Sequence, residues 1–258
     1  MPARVGTSRQ APPHIPRRIR AIALACPPAA RVCEVGYDRG LILWSVLETR
    51  PETRGLGVEV QPESATATPI PAPLRPRVEL RTGDGLDPVT FEEADGMGVI
   101  LAGLGGRTIA EILERRPELT RRLAWVLTCP SHLEAEVRPA LTRLGLGIAD
   151  ERLVEDRGRF YEVVVSRPSL PVTPADELAA TWGPLLMSRP DPLMLRYLDD
   201  QAHRFAEAFA RDLQSYREGT KAALGRKLAL LGAARSRLLG MNPTDPPRPS
   251  AHTTTKAG

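Results

Sequence analysis

Lysine is almost missing from this chain. Only Lys221, Lys227 and Lys256 stand among its 35 basic residues, and the rest are arginines. The planar guanidinium fork can hold two oxygens of one phosphate, which a lysine cannot do; an arginine-rich genome would leave the same mark. Cysteine is as scarce. Cys26, Cys33 and Cys129 are odd in number and no two stand at metal-ligand spacing, which argues against a disulfide framework and a zinc site and leaves small buried thiols as the plain reading. No apolar run reaches the length needed to cross a bilayer, and the basic, proline-bearing N-terminus has no apolar secretory core. A cytoplasmic protein without a metal is expected; the sequence leaves the oligomeric state open, with a monomer favoured.

What is present suits one α/β domain with an appendage: 258 residues, 42% hydrophobic and 26% charged. The net charge of +4 admits a polyanionic partner without requiring one. Residues 1–13 have no periodicity and read as a disordered basic arm. Ile15, Ile19 and Ile22 then recur at helical spacing until Pro27-Pro28 stops them. From Arg31 onward strands alternate with helices. Strands are expected at 31–35, 55–60, 78–81, 97–102 and 124–129, with helices at 41–48, 108–115 and 131–144. A closing antiparallel pair is expected near 148–154 and 160–166. Met97–Ala102 is apolar throughout, as a strand buried on both faces should be. Between strands two and three the pattern breaks: Pro62, Pro69, Pro71, Pro73 and Pro76 forbid an ordinary crossover helix, so a short or irregular connection is predicted. Beyond about Pro168 the chain turns arginine- and alanine-rich. Met194, Leu198, Ala202, Phe205 and Phe209 form one helical stripe, Leu224, Leu228, Leu231, Ala234 and Leu238 a second, with Gly219 read as the break between them. An antiparallel helical hairpin within 175–240 is the simplest packing, followed by a disordered tail over 241–258.

Four constellations carry chemistry. Glu34-Val35-Gly36-Tyr37-Asp38-Arg39-Gly40 ends a strand in a glycine turn that lets a ligand approach the backbone. Its acidic character disfavours a diphosphate and suits a ligand with cationic ammonium and sulfonium groups, although a glycine turn in a generic α/β fold looks the same. Glu59-Val60, at the end of the second strand, is placed to accept ribose hydroxyls, or is a solvated strand end. Asp84-Gly85 can accept from the exocyclic amine of an adenine, or is a plain Asp-Gly turn. Gly103-Leu104-Gly105-Gly106 implies close approach at the end of the fourth strand, and no phosphate-loop lysine follows it.

Taken together, EVGYDRG (34–40), GVEV (57–60), GDGL (83–86), ILAGLGGRTIAEIL (100–113) and LVEDRGRFYEVVVSRP (153–168) resemble the bacterial tRNA (adenine-22 N1) methyltransferases. The resemblance covers roughly residues 15–240. It implies a Rossmann-like class I methyltransferase fold over 14–168, with a seven-stranded sheet and a C-terminal, coiled-coil-like α-helical hairpin. It also implies S-adenosyl-L-methionine as cofactor and tRNA as partner. Under it, Glu34, Gly36, Asp38 and Gly40 border the methionine end, Glu59 and Val60 the ribose, and Asp84 and Gly85 the adenine. Asp38, Gly103, Leu104 and Gly105 form the catalytic face. Tyr37, Arg39, Pro130 and Tyr161 are expected to meet the target base, and Arg204 and Arg211 of the hairpin to meet phosphates. Tyr37 and Arg39 stand where the family usually has Ser and His, and Cys129-Pro130-Ser131 where it usually has Gln-Pro-Asn. The alternatives are an inactive relative that binds RNA or a protein, and a methyltransferase for another substrate.

Overall fold

The structure, a computed structural model, describes residues 15–61, 68–132, 134–172, 176–188, 191–211 and 218–240, without the side chains of 134, 208–211 and 218–224. The expected arm and tail lie outside these residues. Seven strands, β1 (Arg31–Val35), β2 (Arg54–Glu59), β3 (Val78–Thr82), β4 (Gly98–Ala102), β5 (Trp125–Cys129), β6 (Gly147–Asp156) and β7 (Arg159–Arg167), form one sheet in the order β3-β2-β1-β4-β5-β7-β6. The first five are parallel, and β7 runs antiparallel between β5 and β6. Strand order reverses between β1 and β4, and open α/β sheets bind ligands beyond the carboxyl ends of the strands at such a reversal.

Side-chain alternation divides the core between the faces. Val99 and Leu101 of β4 point into one apolar cluster, Ile100 and Ala102 into the other. The first cluster is covered by α3 (Phe91–Ala94), α4 (Gly106–Arg115), α5 (Pro117–Thr120) and α6 (Val137–Leu144); the second by α1 (Arg17–Ala25) and α2 (Leu41–Glu48). Residues 62–67 of the proline-rich crossover lie outside the described residues; in the described part a 3₁₀ turn, Ala72–Arg77, buries Leu74 in the α1–α2 cluster. Arg77 then ties the connection down by donating to the carbonyls of Leu47 (3.1 Å), Arg50 (3.0 Å) and Thr53 (2.7 Å). The Leu47 and Arg50 carbonyls also accept the amides of Arg50 and Thr53, so Arg77 adds a second donor to each.

Several boundaries differ from the periodicity. Helix α1 begins only at Arg17, after Pro16, and leaves Ile15 exposed. The helix expected from Ser131 begins at Val137, because Ser131 and His132 stay extended against the β4–α4 turn. The short helices α3 and α5 had no periodic signal; α3 is set by a capping box between Thr90 and Glu93.

The C-terminal part comprises α7 (Glu177–Trp182), a 3₁₀ turn at Leu186–Ser188, α8 (Pro192–Arg211) and α9 (Glu218–Leu239). Gly219 lies inside α9 rather than breaking the hairpin. Trp182, Met187, Met194, Tyr197 and Leu198 pack with Leu231, Ala234 and Leu238, and this cluster rests on Leu153 and Phe160 of the β6–β7 pair. Burial of each large apolar side chain contributes about 1.5–3 kcal/mol. Beneath it lies a charged joint. Arg138 of α6, itself buried, pairs with buried Glu151 (2.8 Å) and Glu162 (2.7 Å) and donates to the Thr181 carbonyl (3.2 Å). The Tyr197 hydroxyl donates to Glu162 (2.7 Å), and the Leu185 amide to Glu151 (2.7 Å). Burial pushes the Glu151 carboxyl upward while Arg138 pulls it back.

Candidate functional site

The carboxyl ends of the strands are laced to one another by backbone bonds. The Gly36 amide donates to Val58 (2.8 Å), Gly83 to Glu59 (2.9 Å), and Gly103 to Cys129 (3.0 Å). Asp84, Glu59, Gly36, Gly103 and Cys129 therefore follow one another along a single edge, in sheet order. The turn after β1 winds through three left-handed residues, Gly36 (φ 72°), Asp38 (φ 45°) and Gly40 (φ 67°). Aspartate tolerates that conformation better than most side chains. Asp38 keeps its carboxylate in solvent, 3.8 Å from the equally exposed Arg39.

Four expected contacts with ligand or target base need correction. Glu34 is 2% exposed and accepts the Leu43 amide of α2 at 2.9 Å. Burial pushes its carboxyl up to about 8, against the pull of that amide, so near neutral pH it is mostly uncharged and fastens the turn to α2 from beneath. Tyr37 is 2% exposed, its ring laid against Gly57, where an added Cβ would come within 2.7 Å of it. Burial and the charge of Glu59 both raise its phenol. Tyr161 is 8% exposed and belongs to the α1-side core. Neither tyrosine is the open wall expected for a target base, because each ring fills a hollow in the protein. Pro130 is likewise buried.

The polar groups that do face outward are Glu59, Asp84 and the β4 turn. Glu59 is half-buried and accepts from the amides of Val60 (3.0 Å) and Gln61 (3.4 Å); Val60 is exposed. Asp84 is exposed, and Arg115 of α4 grips its carboxylate at 2.6 Å and holds it below the usual carboxylate range. The same guanidinium stands over Gly85, where a Cβ would come within 2.8 Å of it. At Gly103 (φ 81°) nothing lies within 4 Å of where a Cβ would project, so the backbone there borders open space. Leu104 leans over Gly36, its Cδ2 3.2 Å from an added Cβ, so the β1 and β4 turns touch.

One residue of this edge carried no signal beyond its place after Cys129-Pro130-Ser131. His132 is exposed and its ring lies on Gly105, Nε2 2.9 Å from where a Cβ would stand. Its Nδ1 is 2.9 Å from the Ser131 hydroxyl, its carbonyl accepts the Gly106 amide (2.8 Å), and the Leu104 carbonyl accepts the Ser131 amide (2.8 Å). The segment after β5 is thus stitched onto Gly103–Gly106, and glycine at 105 leaves room for the imidazole. Of the hairpin residues, Arg204 is paired with Asp200 (2.9 Å), and the side chain of Arg211 lies outside the described residues. Among the described residues no group of His, Cys, Asp or Glu could hold a metal ion, and no helix is long and apolar enough to cross a membrane.

Comparison with known proteins agrees with this geometry. A family model described as a methyltransferase domain matches residues 15–164. The tRNA (adenine(22)-N(1))-methyltransferase of Bacillus subtilis (strain 168) is 27% identical over 154 residues, 58% of this chain and 63% of that protein. The chain therefore matches less than two thirds of that relative's length. The crystal structure of the B. subtilis m1A22 tRNA methyltransferase superposes with a TM-score of 0.72 at 20% identity, covering 85% of this chain and 98% of that one. A TrmK structure from M. capricolum, in complex with the cofactor product S-adenosyl-homocysteine, gives a TM-score of 0.72 at 13% identity over 86% and 97%. The seven-stranded sheet with its appended helices is a Rossmann-like methyltransferase fold.

Proposed function

Because the chain belongs to the methyltransferase-domain family, we propose that it transfers a methyl group from S-adenosyl-L-methionine to N1 of an adenine in transfer RNA. One observation carries the reading: Asp84, Glu59, the Gly36 turn and Gly103 share a single open edge at the point where strand order reverses. The name of the B. subtilis relative and the cofactor product held by the M. capricolum structure support it.

The residues present fit such a cofactor. Exposed Asp84 and half-buried Glu59 offer carboxylates at neighbouring strand ends, and the space beside Gly103 is open. Glu59 accepts the ribose hydroxyls, Asp84 with Gly85 takes the adenine amine, and Asp38, Gly36 and Gly40 border the ammonium. When bound, the cofactor supplies a methyl group already activated on a sulfonium. The protein's task is then positioning. Adenine N1 lies on the Watson–Crick edge, so the target base has to leave its stack to reach the β4 turn. Gly103, Leu104 and Gly105 offer it a close backbone approach, and the exposed imidazole of His132 a surface to lie on. The C-terminal hairpin gives the RNA a second place to rest, and a tRNA substrate puts the work in the cytoplasm.

The test is mass spectrometry of nucleosides from unmodified tRNA after incubation with methyl-labelled cofactor. Label in 1-methyladenosine, lost with Glu59→Ala, is the expected result. Cofactor binding without label in any nucleoside contradicts it. One observation favours a second reading, a relative that binds RNA without turnover: Asp84 is already engaged by Arg115. That reading predicts RNA affinity with no calorimetric signal from the cofactor.

A further inference from the structure

The described arginines of the helical hairpin are largely neutralised. Arg196 pairs with Glu155 (2.8 Å), Arg204 with Asp200 (2.9 Å), Arg235 with Asp199 (2.8 Å) and Arg237 with Asp176 (2.5 Å); Arg226 forms no ion pair among the described residues. A different group stands where α1 packs beside the tip of the β6–β7 pair. Arg17, Arg18, Arg157 and Arg159 have no ion pair among the described residues. Arg18 lies over the Tyr161 ring at 4.7 Å from its centroid, and Arg159 over the same ring at 5.7 Å. Two guanidiniums are thus gathered on one aromatic side chain with no carboxylate bound to either. Glu155 is held by Arg196, and Asp156, opposite Arg159 in the ladder, forms no ion pair with it. Arg157, exposed at the turn, is left-handed (φ 51°), and Arg17 is exposed on α1.

The ridge also has a meaningful location. Thr128 of β5 faces Val164 of antiparallel β7, so Tyr161 lies beyond the carboxyl end of β5, on the side of His132. We infer that Arg17, Arg18, Arg157 and Arg159 form a phosphate-binding ridge that holds the RNA backbone beside the methyl-transfer edge. Like charges held together without counter-ions are relieved by a polyanion, and guanidiniums suit phosphate oxygens. The inference rests on the proposed tRNA reading and adds an anchor apart from the hairpin.

The experiment measures affinity for unmodified tRNA against salt concentration. It compares wild type, an Arg18→Gln/Arg157→Gln/Arg159→Gln variant, the same triple change to Lys, Arg204→Gln, and an Arg54→Gln/Arg122→Gln/Arg143→Gln variant that removes the same number of exposed charges elsewhere. The Gln triple variant should bind about 10- to 100-fold more weakly near 0.1 M salt, with the salt slope reduced by about 2–3. The Lys triple variant should recover most of the affinity, Arg204→Gln should lose less than about threefold, and the charge-matched variant should bind as wild type does. Melting curves and cofactor titration of the same proteins show that the fold is intact. Wild-type affinity and slope in the Gln triple variant overturn the ridge while leaving the tRNA reading in place. A wild-type protein that takes up cofactor but binds no tRNA, or prefers vesicles containing phosphatidylserine, overturns both.

Discussion

The joint under the C-terminal helices and the edge of the parallel strands are built from the same residue types and put them to opposite uses. At the joint, Arg138, Glu151, Glu162 and Tyr197 are buried and pair with one another. At the edge, among the described residues, the Glu59 carboxylate accepts from the two amides that follow it, and Asp84 pairs with the exposed Arg115. Charge that the fold has already matched is structure, whereas charge left half-matched at a glycine-lined opening is available to a ligand. The same contrast separates the hairpin arginines from those around Tyr161.

The comparison can be broken most forcefully at the joint. Arg138→Ala leaves two buried carboxylates without a counter-charge, which should cost about 3–5 kcal/mol and lower Tm by roughly 10 °C or more in a chain of this size. Thermal melting measures the loss, and calorimetry should find cofactor affinity unchanged in the folded fraction. Glu59→Ala is the converse: a charged acceptor of two hydroxyls is removed, so cofactor affinity should fall about 100-fold. Its melting curve should stay where it was. If the two variants show the same pattern of losses, the division between joint and edge is wrong.

Glu34 lies between these extremes and gives a pH signature. Its carboxyl is raised to about 8 in the folded chain, above its unfolded value of about 4.3. The native state therefore binds the extra proton between those pH values. Its contribution to stability is complete at low pH, is lost as pH rises through about 8, and then levels off. Glu34→Gln should remove that slope, so that the variant gains a few degrees of Tm on wild type at pH 8.5 relative to pH 5. Parallel Tm–pH curves for the two proteins would show that Glu34 is charged in the native state.

The smallest expected effect concerns Arg115. Its ion pair with Asp84 is solvent-exposed and worth at most about 1 kcal/mol. Arg115→Gln should tighten cofactor binding by no more than about fivefold at low salt, with the gain vanishing near 1 M salt. Weaker binding in titrations of this variant would mean that Arg115 helps to hold the ligand.

Much of the edge was legible because it is local in sequence. Strand, glycine turn and helix follow within a dozen residues around Gly36, and the apolar runs of β4 and β5 leave no other place for them than the sheet centre. In the described part of the crossover, the prolines likewise go with a 3₁₀ turn at Ala72–Arg77. The joint was not legible: Arg138, Glu151 and Glu162 each sit in amphipathic or alternating stretches where a charge reads as solvated, and only tertiary packing brings them together with Tyr197. Tyr37 misled for a related reason. A tyrosine in a ligand turn reads as exposed, yet the bare backbone at Gly57 offers it a hollow on the neighbouring strand. His132 escaped notice because a lone histidine has no periodicity, and its role depends on a turn near residue 105 meeting the end of β5.

The central claim, that the strand-end carboxylates form the cofactor site, is tested most directly by calorimetric titration of S-adenosyl-L-methionine into wild type and a Glu59→Ala/Asp84→Ala double variant. A one-to-one binding isotherm for wild type, absent from a double variant that melts like its parent, is the predicted result. Equal binding by both proteins, or none by the wild type, would contradict it.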